Sequence, residues 1–144
     1  MAVDKRRVVA ALRDALVRDL DAVERIAAMA RDEVTSDETR AEGMYDTRAT
    51  EASYLARGQS WRIAELRRLL NWVEVLDPDR PLRPPVVQVG ALVEVEGARD
   101  ELVFVAPVGG SGVDVDGRRV RVISPSSPLG AAMIDLAAGD SFEV

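Results

Sequence analysis

The sequence predicts an α+β protein: an N-terminal antiparallel helical hairpin (a coiled coil), followed by a small antiparallel β domain with one short helix. Three observations carry this. Two stretches of roughly 30 residues repeat apolar residues at helical spacing, a proline-dense break follows them, and short valine-rich runs separated by glycine turns lie beyond the break.

From Asp4 to about Arg31, Val9, Leu12, Leu16, Leu20, Val23, Ala27 and Ala30 form one stripe with charged residues opposite, and neither Gly nor Pro interrupts it. A second segment, from about Thr47 to Leu76, repeats the signal with Leu55, Ile63, Leu66, Leu70, Val73 and Leu76. At 1.5 Å per residue each would make a rod of about 45 Å. Neither rod buries its stripe alone, so the two are expected to pack antiparallel across a connecting tip at about residues 32–46. This hairpin occupies 1–77. Thr35 with Glu38 and Thr39 with Glu42 both read as capping boxes at the tip, and Asp46 or Thr47 would cap the second helix.

Residues 78–85 contain the four prolines Pro78, Pro81, Pro84 and Pro85, which no helix interior or central strand accommodates, so they read as a linker. The β domain then spans 86–144. Its strands are expected within Val86–Glu96, Glu101–Ala106, Gly112–Asp116, Arg118–Ser124 and Ser141–Val144, and Asp116-Gly117 is a strong hairpin signal. Between the last two, Ser127 as N-cap and Pro128 at the first helical position predict a short helix near 127–134.

Composition narrows the function. With no cysteine and no histidine, disulfides, zinc fingers, thiol nucleophiles and imidazole bases are excluded, and a metal would have to be a hard cation held by carboxylates. The net charge of −6 speaks against a protein that binds nucleic acid by neutralising phosphates, so no direct sequence-specific nucleic-acid binding is expected. The acidity is concentrated. Between Arg31 and Asp46, six acids (Asp32, Glu33, Asp37, Glu38, Glu42 and Asp46) stand against Arg31 and Arg40. No apolar run approaches the length of a membrane span or a secretory leader, so a cytoplasmic protein without a membrane partner is expected. Tyr54, Trp61 and Trp72 lie among Leu and Ile on helices and are read as packing residues rather than a ligand stack.

The C-terminal part carries a more specific signal. Val89-Gly90-Ala91-Leu92-Val93-Glu94-Val95, then Val120-Arg121-Val122-Ile123-Ser124-Pro125-Ser126-Ser127-Pro128-Leu129-Gly130-Ala131-Ala132-Met133-Ile134, and finally Ala138-Gly139-Asp140-Ser141-Phe142-Glu143-Val144 form one pattern. It resembles the C-terminal domain of the Gre family of bacterial transcription elongation factors. The resemblance implies an FKBP-like fold for the β domain. The upstream helices suit the family too, whose coiled coil ends in an acidic loop, and Arg62-Ile63-Ala64-Glu65-Leu66 matches a part of its second helix.

The resemblance implies that RNA polymerase is the protein partner and that the rod reaches into its secondary channel. The tip carboxylates Asp37, Glu38, Glu42 and Asp46 would then help hold Mg²⁺ shared with the polymerase active site, and Ser126, Ser127 and Pro128 would grip the polymerase. The chain would have no cofactor of its own and would be no enzyme, at most stimulating the polymerase's intrinsic RNA cleavage. Prolyl isomerase activity is not expected, since Phe104 and Phe142 are the only aromatics of the β domain.

The tip departs from the family pattern. Cleavage-stimulating members read Asp-x-x-Glu-Asn-x-Glu-Tyr; with Tyr45 on the family tyrosine, Glu38 falls on the aspartate and Ala41 on the glutamate, with Glu42 one place away. The spacing from Tyr45 to Arg62 is also longer by about one helical turn. Two alternatives therefore stay open: a regulator that occupies the channel without stimulating cleavage, and a protein-interaction adaptor in a specialised pathway. The sequence leaves the oligomeric state open.

Overall fold

The computed structural model describes residues 3–38 and 45–144, with side chains at 3–32 and 57–144. The element order is α1 (Lys5–Glu38), α2 (Tyr45–Val75), β1 (Leu92–Val95), β2 (Glu101–Val105), β3 (Ser111–Val115), β4 (Arg118–Ile123) and α3 (Pro128–Met133). α1 continues past Arg31 to Glu38 because the chain offers no breaker there; its first glycine is Gly43. None of its helices among the described residues is long and apolar enough to cross a membrane.

The chain divides into two compact units, one made of Met1–Ala15 with Leu69–Val144 and the other of Leu16–Arg68. In the second unit Leu16, Ala27 and Leu66 are buried, and Arg67 of α2 donates to the Glu24 carboxylate of α1. Leu20, Val23 and Ala30, expected on the same stripe, are half-buried. Trp61, expected to pack, is 70% exposed.

In the first unit, α1 begins with three cations, Lys5, Arg6 and Arg7, at the helix end where the macrodipole disfavours positive charge. Acids brought from elsewhere offset this. Asp4 caps the helix by accepting from the Arg6 amide at 3.0 Å, Arg6 pairs with Asp79 at 3.0 Å, and Arg7 pairs with Asp116. Among the described residues no acid pairs with Lys5, and burial pushes its ammonium below the ordinary lysine value.

The sheet has the order β1-β2-β4-β3. It is mixed, which corrects the antiparallel sheet expected from the sequence. β1 and β2 are antiparallel, as are β3 and β4, but β2 and β4 run parallel with Val103 opposite Arg121 and Phe104 opposite Val122. The reason is the connection at 106–110, which carries the chain past the neighbouring position to the sheet edge, so that β4 returns through the tight Asp116-Gly117 turn into the place beside β2. Asp116 (φ 52°) and Gly117 (φ 79°) both take the left-handed backbone this turn demands. β2 is thereby a central strand covered on both faces, and Leu102, Val103, Phe104 and Val105 are all buried.

Strand alternation gives each face its own core. Leu102, Phe104, Val113, Val115, Val120 and Val122 share one face, where the Trp72 ring of α2 meets Phe104 with centroids 5.8 Å apart. On the other face Val103, Val105 and Ile123 pack with Met133 of α3, flanked by Val87, Val95, Leu129, Ile134 and Phe142. Two expected strands are shorter or missing. The run from Val86 breaks at Gly90 (φ 97°), leaving Val86 in a single antiparallel bridge to Ala137, and residues 141–144 form no strand although Phe142 still joins the core.

Candidate partner-binding turn

The residues expected to grip a partner, Ser126, Ser127 and Pro128, lie together on the turn from β4 into α3. Ser127 is extended (φ −70°, ψ 156°), the ordinary N-cap conformation, and its Oγ accepts from the Gly130 amide at 3.0 Å. The same hydroxyl donates to the Ser124 carbonyl at 2.8 Å, which also accepts from the Ser127 amide at 3.1 Å. Pro128 at the first helical position needs no partner for its nitrogen. A second hydroxyl pair, Ser124 Oγ and Ser126 Oγ at 2.8 Å, ties the exposed Ser126 to the base of the turn.

Leu129 anchors the turn from below against the Val103, Val105, Ile123 and Met133 cluster. Gly130 lets the helix approach closely: a Cβ there would lie 2.0 Å from the Ser124 carbonyl oxygen. Ser126 and Pro128 are exposed on a turn in which the Ser124 carbonyl, the Ser127 amide and hydroxyl and the Gly130 amide are already paired internally. Such a site can offer a hydroxyl and an apolar ring to a protein surface at little ordering cost. It contains no group that titrates near neutrality and no nucleophile activated by a base.

The tip acids are a different matter. Asp37 and Glu38 fall at the end of α1 and Asp46 near the start of α2. Their side chains, the whole of Glu42 and the side chain of Tyr54 lie outside the described residues. Among the described residues no group of three or more acids is placed to hold a metal ion.

Sequence reasoning found the cap and its proline because both are local. It missed Ser124, whose carbonyl and hydroxyl organise the turn, and it took Gly130 for no more than a small residue. No family model, curated protein or solved structure matches this chain.

Proposed function

We propose that this chain is a Gre-like transcription factor that binds bacterial RNA polymerase at the secondary channel and modulates elongation or transcript cleavage through the acidic tip of its coiled coil. The observation that carries the reading is the Ser124–Gly130 turn, a serine-proline N-cap whose Ser127 hydroxyl bonds both Ser124 and Gly130 at the start of α3, in a segment whose sequence resembles the family's polymerase-gripping run.

The antiparallel pairing of α1 and α2 belongs to this reading. It is supported by the ion pair between Arg67 and Glu24 and by burial of Leu16 and Leu66. An FKBP-like β domain belongs to it as well, supported by α3 packed on a mixed sheet. In this reading the carboxylates of Asp37, Glu38, Glu42 and Asp46 supply hard oxygen ligands, the kind Mg²⁺ takes when it is shared with phosphates and water. The catalytic centre is the polymerase's own.

The departed tip spacing, with Ala41 where the family has a glutamate, favours a second version in which the rod occupies the channel without stimulating cleavage. Two measurements separate the versions: capture of purified core polymerase by the full chain, then RNA cleavage in a stalled complex. Capture with cleavage supports the first version, and capture without cleavage the second. Failure to capture core polymerase overturns both and leaves the adaptor reading.

A further inference from the structure

Ser124, on which the serine-proline turn is built, is approached at its two flanking peptide groups by glycines of different elements. Gly130 approaches its carbonyl from α3. On the other side stands Gly109, in the 106–110 connection between β2 and β3. A Cβ at Gly109 would lie 2.8 Å from the Ser124 nitrogen, 3.0 Å from the Ile123 Cα and 3.1 Å from the Ile123 carbonyl carbon. All three are backbone atoms that cannot swing aside. On the same strand end, the Ala106 amide donates to the Ile123 carbonyl at 2.8 Å and the Gly110 amide to the Val122 carbonyl at 3.1 Å, so the connection is fastened on both sides of the contact.

We infer that Gly109 is a positioning residue for the partner-binding turn: its missing side chain sets where Ser124, and through it Ser126, Ser127 and Pro128, are held. The inference rests on the polymerase-binding reading for its consequence but not for its geometry. Gly109 itself takes no part in gripping the partner. It acts through the Ile123–Ser124 peptide, and the Ser124 carbonyl one residue on receives both the amide and the hydroxyl of Ser127, so a displacement of the Ser124 backbone is passed to the cap. The neighbouring Gly110 is the natural control. Its φ of 96° makes alanine unfavourable, yet a Cβ there would meet nothing within 4 Å. Gly110→Ala therefore strains the same connection without pressing on the turn.

The test compares full-length Gly109→Ala and Gly110→Ala at a temperature where both are folded, by amide NMR and by affinity for core RNA polymerase. The expected result for Gly109→Ala is displaced resonances across 124–130, faster exchange of the Gly130 amide and binding weakened about tenfold, the scale of a contact surface held loosely. Gly110→Ala is expected to leave the turn resonances and the affinity close to those of the parent chain. If Gly109→Ala does not fold, a glycine inserted between Gly109 and Gly110 frees the contact without adding a Cβ, and the same changes are expected. Unmoved turn resonances, or moved resonances with unchanged affinity, overturn the inference. If the parent chain does not bind polymerase while Gly109→Ala still moves the turn, the polymerase reading falls and the positioning role stands.

Discussion

One guanidinium nitrogen of Arg7, in the first turn of α1, donates to both carboxylate oxygens of Asp116, at 2.7 and 2.8 Å, across a sequence separation of 109 residues. The pair fastens the start of the first helix to the tip of the β3–β4 hairpin. Both side chains are substantially exposed, so the contact is a locating one more than a stabilising one. A double-mutant cycle with Arg7→Ala and Asp116→Asn should give a coupling of about 0.5 kcal/mol, shrinking as salt is added. Asn is the right replacement because it tolerates the left-handed backbone at this position. A coupling that persists in molar salt would contradict the assignment.

The same substitution should have opposite effects at two helical glycines. Gly58→Ala, where a Cβ meets nothing within 4 Å, should raise stability by about 0.5–1 kcal/mol through helix propensity. Gly130→Ala, with its Cβ 2.0 Å from a backbone oxygen, should lower stability by about 1–3 kcal/mol despite the same gain. Denaturation midpoints at constant m-value decide both.

Ser127→Ala removes the cap of α3 and should cost roughly 1 kcal/mol. Combined with Pro128→Ala it should weaken polymerase binding further than that loss explains, because the exposed ring goes with the cap. A folded double variant that binds polymerase like the parent would retire these residues as the gripping site.

Lys5, the single lysine of the chain, should titrate below the ordinary lysine range because burial disfavours its charged form. In the window between the lowered folded value and the ordinary one, the unfolded chain binds more protons than the folded chain, so stability rises with pH there. Below that window the penalty is complete, and Lys5→Met should therefore raise the thermal midpoint at pH 7 while the gain shrinks in alkali. ¹³C reductive methylation followed by NMR titration would read the Lys5 midpoint directly, and a midpoint at or above the ordinary value would refute the burial argument.

Replacing Asp37, Glu38 and Glu42 with Asn, Gln and Gln keeps side-chain size and removes charge. If the tip shares Mg²⁺ with the polymerase, this triple variant should lose cleavage stimulation and keep docking. Loss of docking along with cleavage would show instead that the acids contribute to binding.

What the sequence disclosed follows the range of the interaction concerned. Leu12, Leu16, Leu66 and Val73 declared their burial through helical periodicity, and Ser127 declared its cap through a neighbouring proline. Strand order was not legible in this way. Whether β4 lies beside β2 or beyond it depends on how far the 106–110 connection reaches, which no residue within β4 encodes; the unbroken apolar run Leu102-Val103-Phe104-Val105 was the only hint that β2 is central. Trp72 and Trp61 sit in similar local contexts, yet the first meets Phe104 and the second faces solvent. The closeness of Gly109 to Ser124 was equally hidden, since a glycine needed for close approach reads like one needed for a turn.

The compact unit that contains the sheet joins Met1–Ala15 to Leu69–Val144. During synthesis, the opening turns of α1 leave the ribosome long before β2 and β4 exist to receive them. Val8 and Leu12, buried in the finished protein, are then amphipathic helix surface without a partner. The parallel β2–β4 pairing closes only after the hairpin between β3 and β4 has emerged, and contacts such as Arg7 with Asp116, far more distant in sequence, close no earlier than that. A chain released early would therefore expose an apolar helix face, the kind of surface that chaperones and proteases bind, so quality control of this protein is expected to act on α1 when the defect lies in the sheet.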